Sequence, residues 1–338
     1  MIQTPLVFDF KANTNFPLVS VIILNWNQKM LLNDCLESVL STDYPEMEVI
    51  VSDNGSTDGS VDLVKKKFPD IILIENNSNL GFCVGNNVAI KQAKGDIIVL
   101  LNNDTLVDGE WVKEIVDAMN QPNVGVVGCK LIFAGTNLIQ SLGYVLDLFG
   151  YYINQGLLDE NIEQLESSTV DVDYVSGAAL AIRRDIINEV GLLDPRFYAY
   201  FEDVDWCYRV KTIGYRVVVA QKAVVHHFGS VSWNSSAFKK VYLTERNRLL
   251  FLFKHLSGFD LLKALTANPL KATLRLITTK LRERSLTVDL LSKKTGRSYE
   301  HKKQKKIHRL LKAALNWVSA KFLAYLSIPL IILVFHKK

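Results

Sequence analysis

The sequence predicts an α/β protein built on a mostly parallel central sheet with helices on both faces, followed by a C-terminal helical appendage. Four apolar runs indicate strands: VSVIIL (19–24), EVIVS (48–52), IILIE (71–75) and DIIVLL (96–101). These runs are rich in β-branched residues and do not alternate strictly between apolar and polar positions. This pattern is typical of strands that are buried on both faces of a parallel sheet.

Helical patterns separate these runs near residues 28–41, 59–68 and 83–94, where apolar residues recur at three- and four-residue spacing. A strand, a helix and a second strand within about 30 residues form a right-handed βαβ unit. The N-terminal part of the chain therefore predicts repeated units of this kind.

A second set of patterns extends from about residue 120 to 235. Its strand-like and helix-like segments are VGVVGCK (124–130), VDYVSGAALAIRRDIINEVG (172–191) and YRVVVA (215–220). No linker rich in proline or serine precedes this region, so we interpret it as a subdivision of the same domain. A helical pattern over 237–256 completes a predicted domain of residues 1–260.

The C-terminal segment, residues 261–338, differs from that domain in charge. It contains 18 Lys and Arg against 3 Asp and Glu, whereas residues 1–260 contain 21 against 32. It includes the basic cluster HKKQKK (301–306) and the apolar run FLAYLSIPLIILVF (322–335), which is shorter than the roughly 20 residues that span a bilayer. These features favour an anchor on a membrane surface, with a terminal helix docked on the core as the alternative. The cluster lacks a nucleic-acid recognition motif, so we expect no nucleic-acid partner.

Two further features indicate a cytoplasmic location. The cysteines Cys35, Cys83, Cys129 and Cys207 are far apart and form no CxxC pair, which is typical of reduced thiols. Residues 1–16 lack the basic region and the continuous apolar run of a signal peptide. We therefore expect a peripheral or monotopic protein on the cytoplasmic side of the membrane.

Polar residues follow three of the predicted strands at the point where each strand ends. Asn25 follows the first run, Asp53 and Asn54 follow the second, and residues 102–104 follow the fourth. Ligands bind at the carboxyl ends of strands in open parallel sheets, so three such clusters predict one binding cleft. Each cluster alone is also consistent with turn formation or helix capping. The loop DNGSTDGS (53–60) has neither GxGxxG nor the P-loop lysine, so neither of those phosphate-binding motifs is supported.

Six motifs carry a resemblance that covers about residues 18–256. They are ILNWN, VSDNGSTDGS, NSNLGFCVGNN, LLNNDT, FEDVDWCYR and HHFGS. In order and spacing they resemble inverting family 2 glycosyltransferases with the GT-A fold, and most of all the rhamnosyltransferase-like branch. The resemblance implies transfer of one sugar, rhamnose or a similar hexose, from a dTDP- or UDP-sugar. It implies as acceptor a hydroxyl of a lipid-linked or growing cell-surface glycan.

The resemblance implies a nucleotide site formed by Asn25, Asp53, Asn87 and Asn103. Asn25 and Asp53 match the positions that hold the base, and a carboxylate accepts a charge-assisted hydrogen bond from the imide N–H of uracil or thymine. Asn103 matches the residue that faces the ribose. Asn87 matches the residue that closes the nucleotide pocket, and an ordinary polar residue on a helix face is the alternative.

The same resemblance implies a divalent metal, Mg²⁺ or Mn²⁺, as cofactor. LLNNDT matches the DxD element of the family, but Asn102 replaces its first aspartate and leaves Asp104 as the charged ligand. One carboxylate with diphosphate oxygens and water is a reasonable environment for Mg²⁺. His227 matches the metal-contacting histidine better than His226, which is more consistent with a structural role.

The segment FEDVDWC implies the catalytic base. It brings three carboxylates close together, and like-charge repulsion raises the pKa of buried carboxylates. Asp203 matches the general base of the family, which removes the proton of the acceptor hydroxyl. The metal stabilises the leaving diphosphate, so the second carboxylic acid of a glycosidase is not required. The residues implied to support the base or to shape the acceptor side are Glu202, Asp205, Trp206 and Gly177.

Two other functions are alternatives to this one. A nucleotidyltransferase shares the nucleotide-binding layout, but ILNWNQ (23–28) shows no basic phosphate-binding signature. A non-catalytic nucleotide-sugar-binding membrane scaffold protein is disfavoured by the presence of Asp104, Asp203 and His227. Processive synthases of the superfamily carry QxxRW where this chain has TERNR (244–248), which favours addition of a single sugar.

Overall fold

A computed structural model describes residues 16–147, 150, 152–157, 168–229, 237–266, 319 and 323–327. In the N-terminal part, strands and helices alternate as β1 (Val19–Asn25), α1 (Lys29–Leu40), β2 (Met47–Asp53), α2 (Ser60–Lys67), β3 (Ile72–Glu75), α3 (Gly81–Gln92) and β4 (Ile97–Asn102). The strands and helices predicted for this part of the chain are therefore confirmed.

The next part of the chain mixes three-residue strands with longer ones. In order they are β5 (Thr105–Val107), α4 (Trp111–Met119), β6 (Val124–Phe133), β7 (Ile139–Ser141), β8 (Tyr144–Leu146), β9 (Tyr152–Asn154), β10 (Thr169–Asp171), β11 (Ala179–Arg183), α5 (Arg184–Val190), a 3₁₀ helix (Pro195–Phe197), α6 (Glu202–Thr212) and β12 (Arg216–His227). Two helices follow, α7 (Ala237–His255) and α8 (Gly258–Thr266). The helix predicted over 237–256 is thus confirmed by α7.

The described strands form one large mixed sheet and a separate β8–β9 hairpin. Along its main path the large sheet has the order β10, β12, β6, β11, β4, β1, β2, β3, with β5 beside β12 and β7 beside β6. The strands β4, β1, β2 and β3 pair in parallel, as do β6 and β12. β11 lies antiparallel between β4 and β6. As a result, β1, β2, β4, β6 and β12 all end along one edge of the sheet, which we call the carboxyl edge.

Helices cover both faces of the sheet because its strands are apolar on both sides. Ile23 of β1 belongs to one buried cluster with Leu36 of α1 and Trp111 of α4. The next residue, Leu24, points to the opposite face. There α3 packs so closely that a Cβ on Gly85 would lie 2.5 Å from Cδ1 of Leu24. The predicted mostly parallel sheet with helices on both faces is confirmed.

The chain divides into two compact units, Met1–Leu146 with Tyr152–Ser232 and Asp147–Tyr151 with Trp233–Lys338. The first unit contains the sheet, and the second contains α7 and α8. In the second unit, Nε of Arg248 donates to Oε2 of Glu245 at 3.2 Å, and Nη2 of the same arginine donates to the Tyr325 hydroxyl at 3.4 Å. The predicted boundary after residue 260 stays a prediction, and this division assigns α7 to the second unit.

The predicted membrane anchor lies mostly outside the described residues. The basic cluster 301–306 is not among them, and of the apolar run 322–335 they include residues 323–327 alone. Within the described part of the chain, no helix has both the length and the apolar character that crossing a bilayer requires. Association with a membrane surface therefore stays a prediction.

Candidate active site

Three polar side chains at the carboxyl edge form a chain of hydrogen bonds. The side-chain amide of Asn25 donates to Oδ2 of Asp53 at 2.8 Å, and that of Asn103 donates to Oδ1 of Asn25 at 2.7 Å. All three residues are buried. Oδ1 of Asp53 accepts from the backbone N–H of Ser56 at 2.7 Å. A carboxylate offers about four lone-pair sites, so Asp53 keeps acceptor capacity for a ligand N–H.

The loops after β1 and β2 are joined to each other at this edge. The backbone N–H of Asn27 donates to the Ser56 hydroxyl at 2.8 Å, and Oδ1 of Asn27 accepts from the backbone N–H of Thr57 at 2.7 Å. Asn27 adopts a left-handed conformation with φ of 52°, which is uncommon outside glycine. The two joined loops leave the indole of Trp26 44% exposed beside the buried Asn25.

Asp104 and His227 meet because β5 pairs with the end of β12. Thr105 is the register partner of His227, and the carbonyl of Asp104 accepts from the backbone N–H of Phe228 at 3.0 Å. Nε2 of His227 lies 3.2 Å from Oδ1 of Asp104. Among the described residues, this buried nitrogen has no hydrogen-bond partner. Nδ1 of His227 lies 2.7 Å from Oε1 of Gln140, on β7.

The Asp104–His227 pair fits a divalent cation. The amide oxygen of Gln140 only accepts hydrogen bonds, so in the neutral ring of His227 the hydrogen is on Nδ1 and Nε2 presents a lone pair. A lone pair and a carboxylate oxygen repel each other unless a cation lies between them. Two neighbouring ligands in the octahedral shell of Mg²⁺ lie about 3 Å apart, which matches the 3.2 Å observed.

The Asp104–His227 pair offers few side-chain ligands for a metal ion. Within the described ranges, no three residues from among His, Cys, Asp and Glu come together to hold a metal ion. Asp104 and His227 would therefore supply two ligands, and the rest must come from a bound ligand and water. This arrangement suits a metal that binds together with a diphosphate.

Asp203 lies in the first turn of α6 and is held by backbone N–H groups. Its Oδ2 accepts from Gly177 at 3.1 Å, and its Oδ1 accepts from Val204 at 2.9 Å. Partial burial raises the pKa of Asp203, and these hydrogen bonds oppose that rise. Gly177 precedes β11, whose Ala179 pairs with Leu101 of β4. Asp203 is therefore attached to the same edge of the sheet as the Asp104–His227 pair.

Glu202, next to Asp203, is buried, and one of its carboxyl oxygens has no hydrogen-bond partner among the described residues. It is 5% exposed, and its Oε2 makes no hydrogen bond to the described residues. Burial, and then repulsion from Asp203, hold the pKa of Glu202 well above its ordinary value.

The turn before α6 has an unusual backbone. Tyr198, Tyr200 and Phe201 have φ values of 63°, 72° and 70°, and a left-handed conformation at such residues costs on the order of 1–3 kcal/mol each. The carbonyl of Tyr198 accepts from the backbone N–H groups of Phe82 and Cys83, at 2.8 and 3.1 Å. This contact ties the turn to the start of α3 and so fixes the position at which α6 begins.

Three of the predicted site residues hold the backbone of residues 190–193. The amide of Asn87 donates to the carbonyl of Leu193 at 2.8 Å and accepts from its N–H at 3.1 Å. The fully buried Trp206 donates to the carbonyl of Gly191 at 2.9 Å. Asp205 accepts from Nε of Arg209 at 2.9 Å, and Arg209 also donates to this segment. Contacts of Asn87 with a nucleotide, and of Asp205 and Trp206 with an acceptor, stay predictions.

Gly177 and Gln140 each contact one of the predicted site residues, Asp203 and His227. Gly177 was predicted as a supporting residue, and its N–H does bond the Asp203 carboxylate. Gln140 was missed, because no motif surrounds it and it lies 87 residues before His227. Only the pairing of β7 with β6 brings Gln140 to the carboxyl edge.

Sequence comparisons relate the chain to sugar-transferring enzymes. Residues 20–191, slightly more than half of the chain, match the family model described as Glycosyl transferase family 2. The O-antigen biosynthesis protein RfbC of Myxococcus xanthus is 31% identical over 223 residues, which are 62% of this chain and 17% of that protein. The chain thus spans a small part of that relative. An N-acetylglucosaminyl-diphospho-decaprenol L-rhamnosyltransferase of Mycobacterium tuberculosis is 26% identical over 242 residues, covering 65% of this chain and 78% of that enzyme.

A solved structure supports the same fold. The mannosyltransferase PcManGT from Pyrobaculum calidifontis, in complex with GDP-Man and Mn²⁺, superimposes with a TM-score of 0.56 at 18% identity. The superposition covers 90% of this chain and 88% of the mannosyltransferase. At this level of identity the likeness establishes the fold alone, and it confirms the predicted GT-A architecture.

Proposed function

Because the chain belongs to glycosyl transferase family 2, we propose that it transfers a single sugar from a nucleoside-diphosphate sugar to a hydroxyl group, with inversion at the anomeric carbon. The observation that carries this proposal is the position of Asp203, a backbone-bonded carboxylate attached to the same sheet edge as the buried Asp53 and the Asp104–His227 pair. One edge thus offers Asp53 for a nucleobase, the Asp104–His227 pair for a metal-bound diphosphate, and Asp203 for the proton of an acceptor hydroxyl. The family match favours this function over nucleotidyl transfer.

The nucleotide is proposed to bind at the joined loops after β1 and β2. Asp53 would accept the imide N–H of uracil or thymine, and Asn25 and Asn103 would orient that carboxylate and reach the ribose. The exposed indole of Trp26 suits stacking on the base. The donor is proposed to be a dTDP- or UDP-sugar, because thymine and uracil both present the imide N–H that Asp53 can accept. The transferred sugar is proposed to be rhamnose or a similar hexose, because the Mycobacterium relative is named for L-rhamnose transfer.

Asp104 and His227 are proposed to hold Mg²⁺ or Mn²⁺. The orphaned Nε2 of His227 and its 3.2 Å separation from Asp104 support this role, as does the Mn²⁺ in the mannosyltransferase structure. A bound divalent metal neutralises the charge that develops on a leaving diphosphate. With that chemistry supplied, the protein needs a base for the acceptor and no separate acid for the leaving group.

Asp203 is proposed to act as the general base. It accepts the proton of the acceptor hydroxyl as that oxygen forms a bond to the anomeric carbon, and the bond from that carbon to the diphosphate breaks on the opposite face. The proton ends on the Asp203 carboxyl. The N–H groups of Gly177 and Val204 orient the carboxylate, and its raised pKa makes it a stronger base than an exposed aspartate.

The acceptor is proposed to be a lipid-linked or growing cell-surface glycan at the cytoplasmic face of the membrane. The name of the Mycobacterium relative describes a decaprenyl-diphosphate acceptor. The basic, partly apolar segment 261–338 suits attachment to an anionic membrane surface.

Calorimetric titration of the whole chain with UDP, dTDP and GDP, each with and without Mn²⁺, tests the proposal. We expect UDP or dTDP to bind, and we expect EDTA to weaken the binding. If none of the three nucleotides bound with Mn²⁺ present, the proposed donor site would be wrong.

A further inference from the structure

Gln140 lies on the far side of His227 from Asp104. Its Oε1 is 2.7 Å from Nδ1 of His227, while Nε2 of the same ring is 3.2 Å from Oδ1 of Asp104. We propose that Gln140 is a positioning residue that holds His227 in the tautomer whose Nε2 is available to a divalent cation. This inference rests on the proposed function, because it takes His227 as a ligand of the metal.

The chemistry of the two side chains selects one tautomer. A neutral imidazole carries hydrogen on one nitrogen and a lone pair on the other, and the hydrogen bond at one nitrogen decides the state of the other. The oxygen of an amide accepts and never donates. Gln140 therefore keeps the hydrogen on Nδ1 and the lone pair on Nε2, which is the form that binds a metal. Outer partners of this kind commonly orient metal-binding histidines.

The position of Gln140 is itself fixed by its surroundings. β7 pairs with the end of β6 on both sides of it, through Ile139 and Ser141. Its carbonyl accepts from the side-chain amide of Asn154 at 2.8 Å. Gly229 adopts a φ of 75°, and a Cβ there would lie 3.3 Å from Nε2 of Gln140. These contacts leave the amide oxygen directed at the imidazole.

The adjacent His226 provides a contrast within the same strand. Its Nε2 lies 3.2 Å from Oδ1 of Asp108, whose side chain is 54% exposed. Nε2 of His226 already has a hydrogen-bonding partner, whereas Nε2 of His227 is buried and has none among the described residues. Of the two histidines, His227 is therefore the one whose Nε2 is available to bind a cation.

The test measures Mn²⁺ affinity in the presence of UDP by electron paramagnetic resonance, using the whole chain. Gln140→Met keeps the length of the side chain and removes the acceptor, so we expect Mn²⁺ to bind about 10- to 100-fold more weakly. Gln140→Glu restores an acceptor for the Nδ1 hydrogen, so we expect affinity at or above the wild-type value. Gln155→Met is the matched control, because among the described residues the side chain of Gln155 donates to the carbonyl of Ile153 alone, at 3.4 Å.

The outcomes separate this inference from the proposed function. If the wild-type protein bound no Mn²⁺, or if His227→Ala bound it as well as the wild type, His227 would not be a metal ligand. The positioning role of Gln140 would then also be wrong. If His227→Ala lost binding while Gln140→Met bound Mn²⁺ like the wild type, the role of Gln140 alone would be overturned.

The tautomer of His227 can also be observed directly by NMR spectroscopy of the metal-free protein, independently of Mn²⁺ affinity. In ¹⁵N-histidine-labelled protein, with the His227 signal assigned from its loss in His227→Ala, we expect the hydrogen on Nδ1. In Gln140→Met we expect a shift of that hydrogen toward Nε2. A wild-type spectrum with the hydrogen already on Nε2 would overturn the proposal.

Discussion

Nε2 of His227 lies 3.2 Å from Oδ1 of Asp104, and no hydrogen bond joins the two atoms. The residues come from the end of β12 and from the turn between β4 and β5, 123 positions apart in the sequence. Two acceptor groups at this distance in a buried place are stable together when a cation lies between them. The pairing of β5 with β12 thus brings together the two side chains that we propose as metal ligands.

Asp104→Asn is expected to remove the metal-dependent part of nucleotide binding, because the amide that replaces the carboxylate carries no charge. We expect the UDP or dTDP affinity of this variant to be the same with Mn²⁺ and with EDTA. Asp108→Asn is the matched control, since Asp108 is exposed and faces His226. Calorimetry that found the full Mn²⁺ effect in Asp104→Asn would contradict the assignment.

Trp26→Ala is expected to weaken nucleotide binding by about 1–3 kcal/mol, the usual effect of losing one base-stacking aromatic ring. The indole is 44% exposed, so its removal should change the thermal midpoint little. Leu40→Ala is a suitable control, because Leu40 is 49% exposed at the far end of α1. Equal affinities of Trp26→Ala and wild type for UDP and dTDP would exclude stacking on this ring.

Glu202→Gln is expected to stabilise the protein at neutral and higher pH. The pKa of Glu202 is raised in the folded state, mainly by burial, so its contribution to stability is present at low pH and is lost as the pH rises through that raised value. Glutamine does not ionise, and the variant should therefore lose less stability between acidic and alkaline pH. Thermal midpoints over a pH series measure this, with the exposed Glu189→Gln as control. If the thermal midpoints of Glu202→Gln and wild type changed with pH in the same way, the raised pKa of Glu202 would be contradicted.

Replacement of Lys302, Lys303 and Lys305 by Gln is expected to weaken binding to phosphatidylserine vesicles by about 1 kcal/mol per lysine. Lys65, Lys66 and Lys67 of α2 form a second basic run, and the same replacement there should change vesicle binding little. Co-sedimentation of the whole chain distinguishes the two. If both triple variants bound vesicles like the wild type, the membrane role of the C-terminal segment would be lost.

The strands that end near Asn25 and Asp53 could be predicted, because strands buried on both faces have a recognisable local sequence pattern. The runs that become β1, β2 and β4 are continuous and β-branched, so Asn25 and Asp53 could be located at their ends. The insertion of β11 between β4 and β6 and the pairing of β5 with β12 could not be predicted. Both pairings join segments that are distant in the sequence, and the local sequence of each segment does not indicate its partner.

The functions of individual polar residues were harder to predict than their positions. Asn87 and Trp206 bear the polar groups expected of ligand-binding residues, yet in the structure they hydrogen-bond the backbone of residues 190–193. A buried amide or indole that holds a loop looks the same in a sequence as one that holds a ligand. Gln140 shows the converse, because nothing near it in the sequence indicates its contact with His227.

Comparison of Asp203→Asn with the wild type tests the central claim most directly. Asparagine keeps an oxygen for the N–H groups of Gly177 and Val204 but accepts no proton from an acceptor, so transfer should fall about 10²- to 10⁴-fold. Nucleotide and Mn²⁺ affinity should stay at the wild-type values. Asp70→Asn, at an exposed position in the turn after α2, should transfer sugar normally. Near-normal transfer by Asp203→Asn, measured with the nucleotide sugar that the wild type uses, would contradict the assignment of Asp203 as the base.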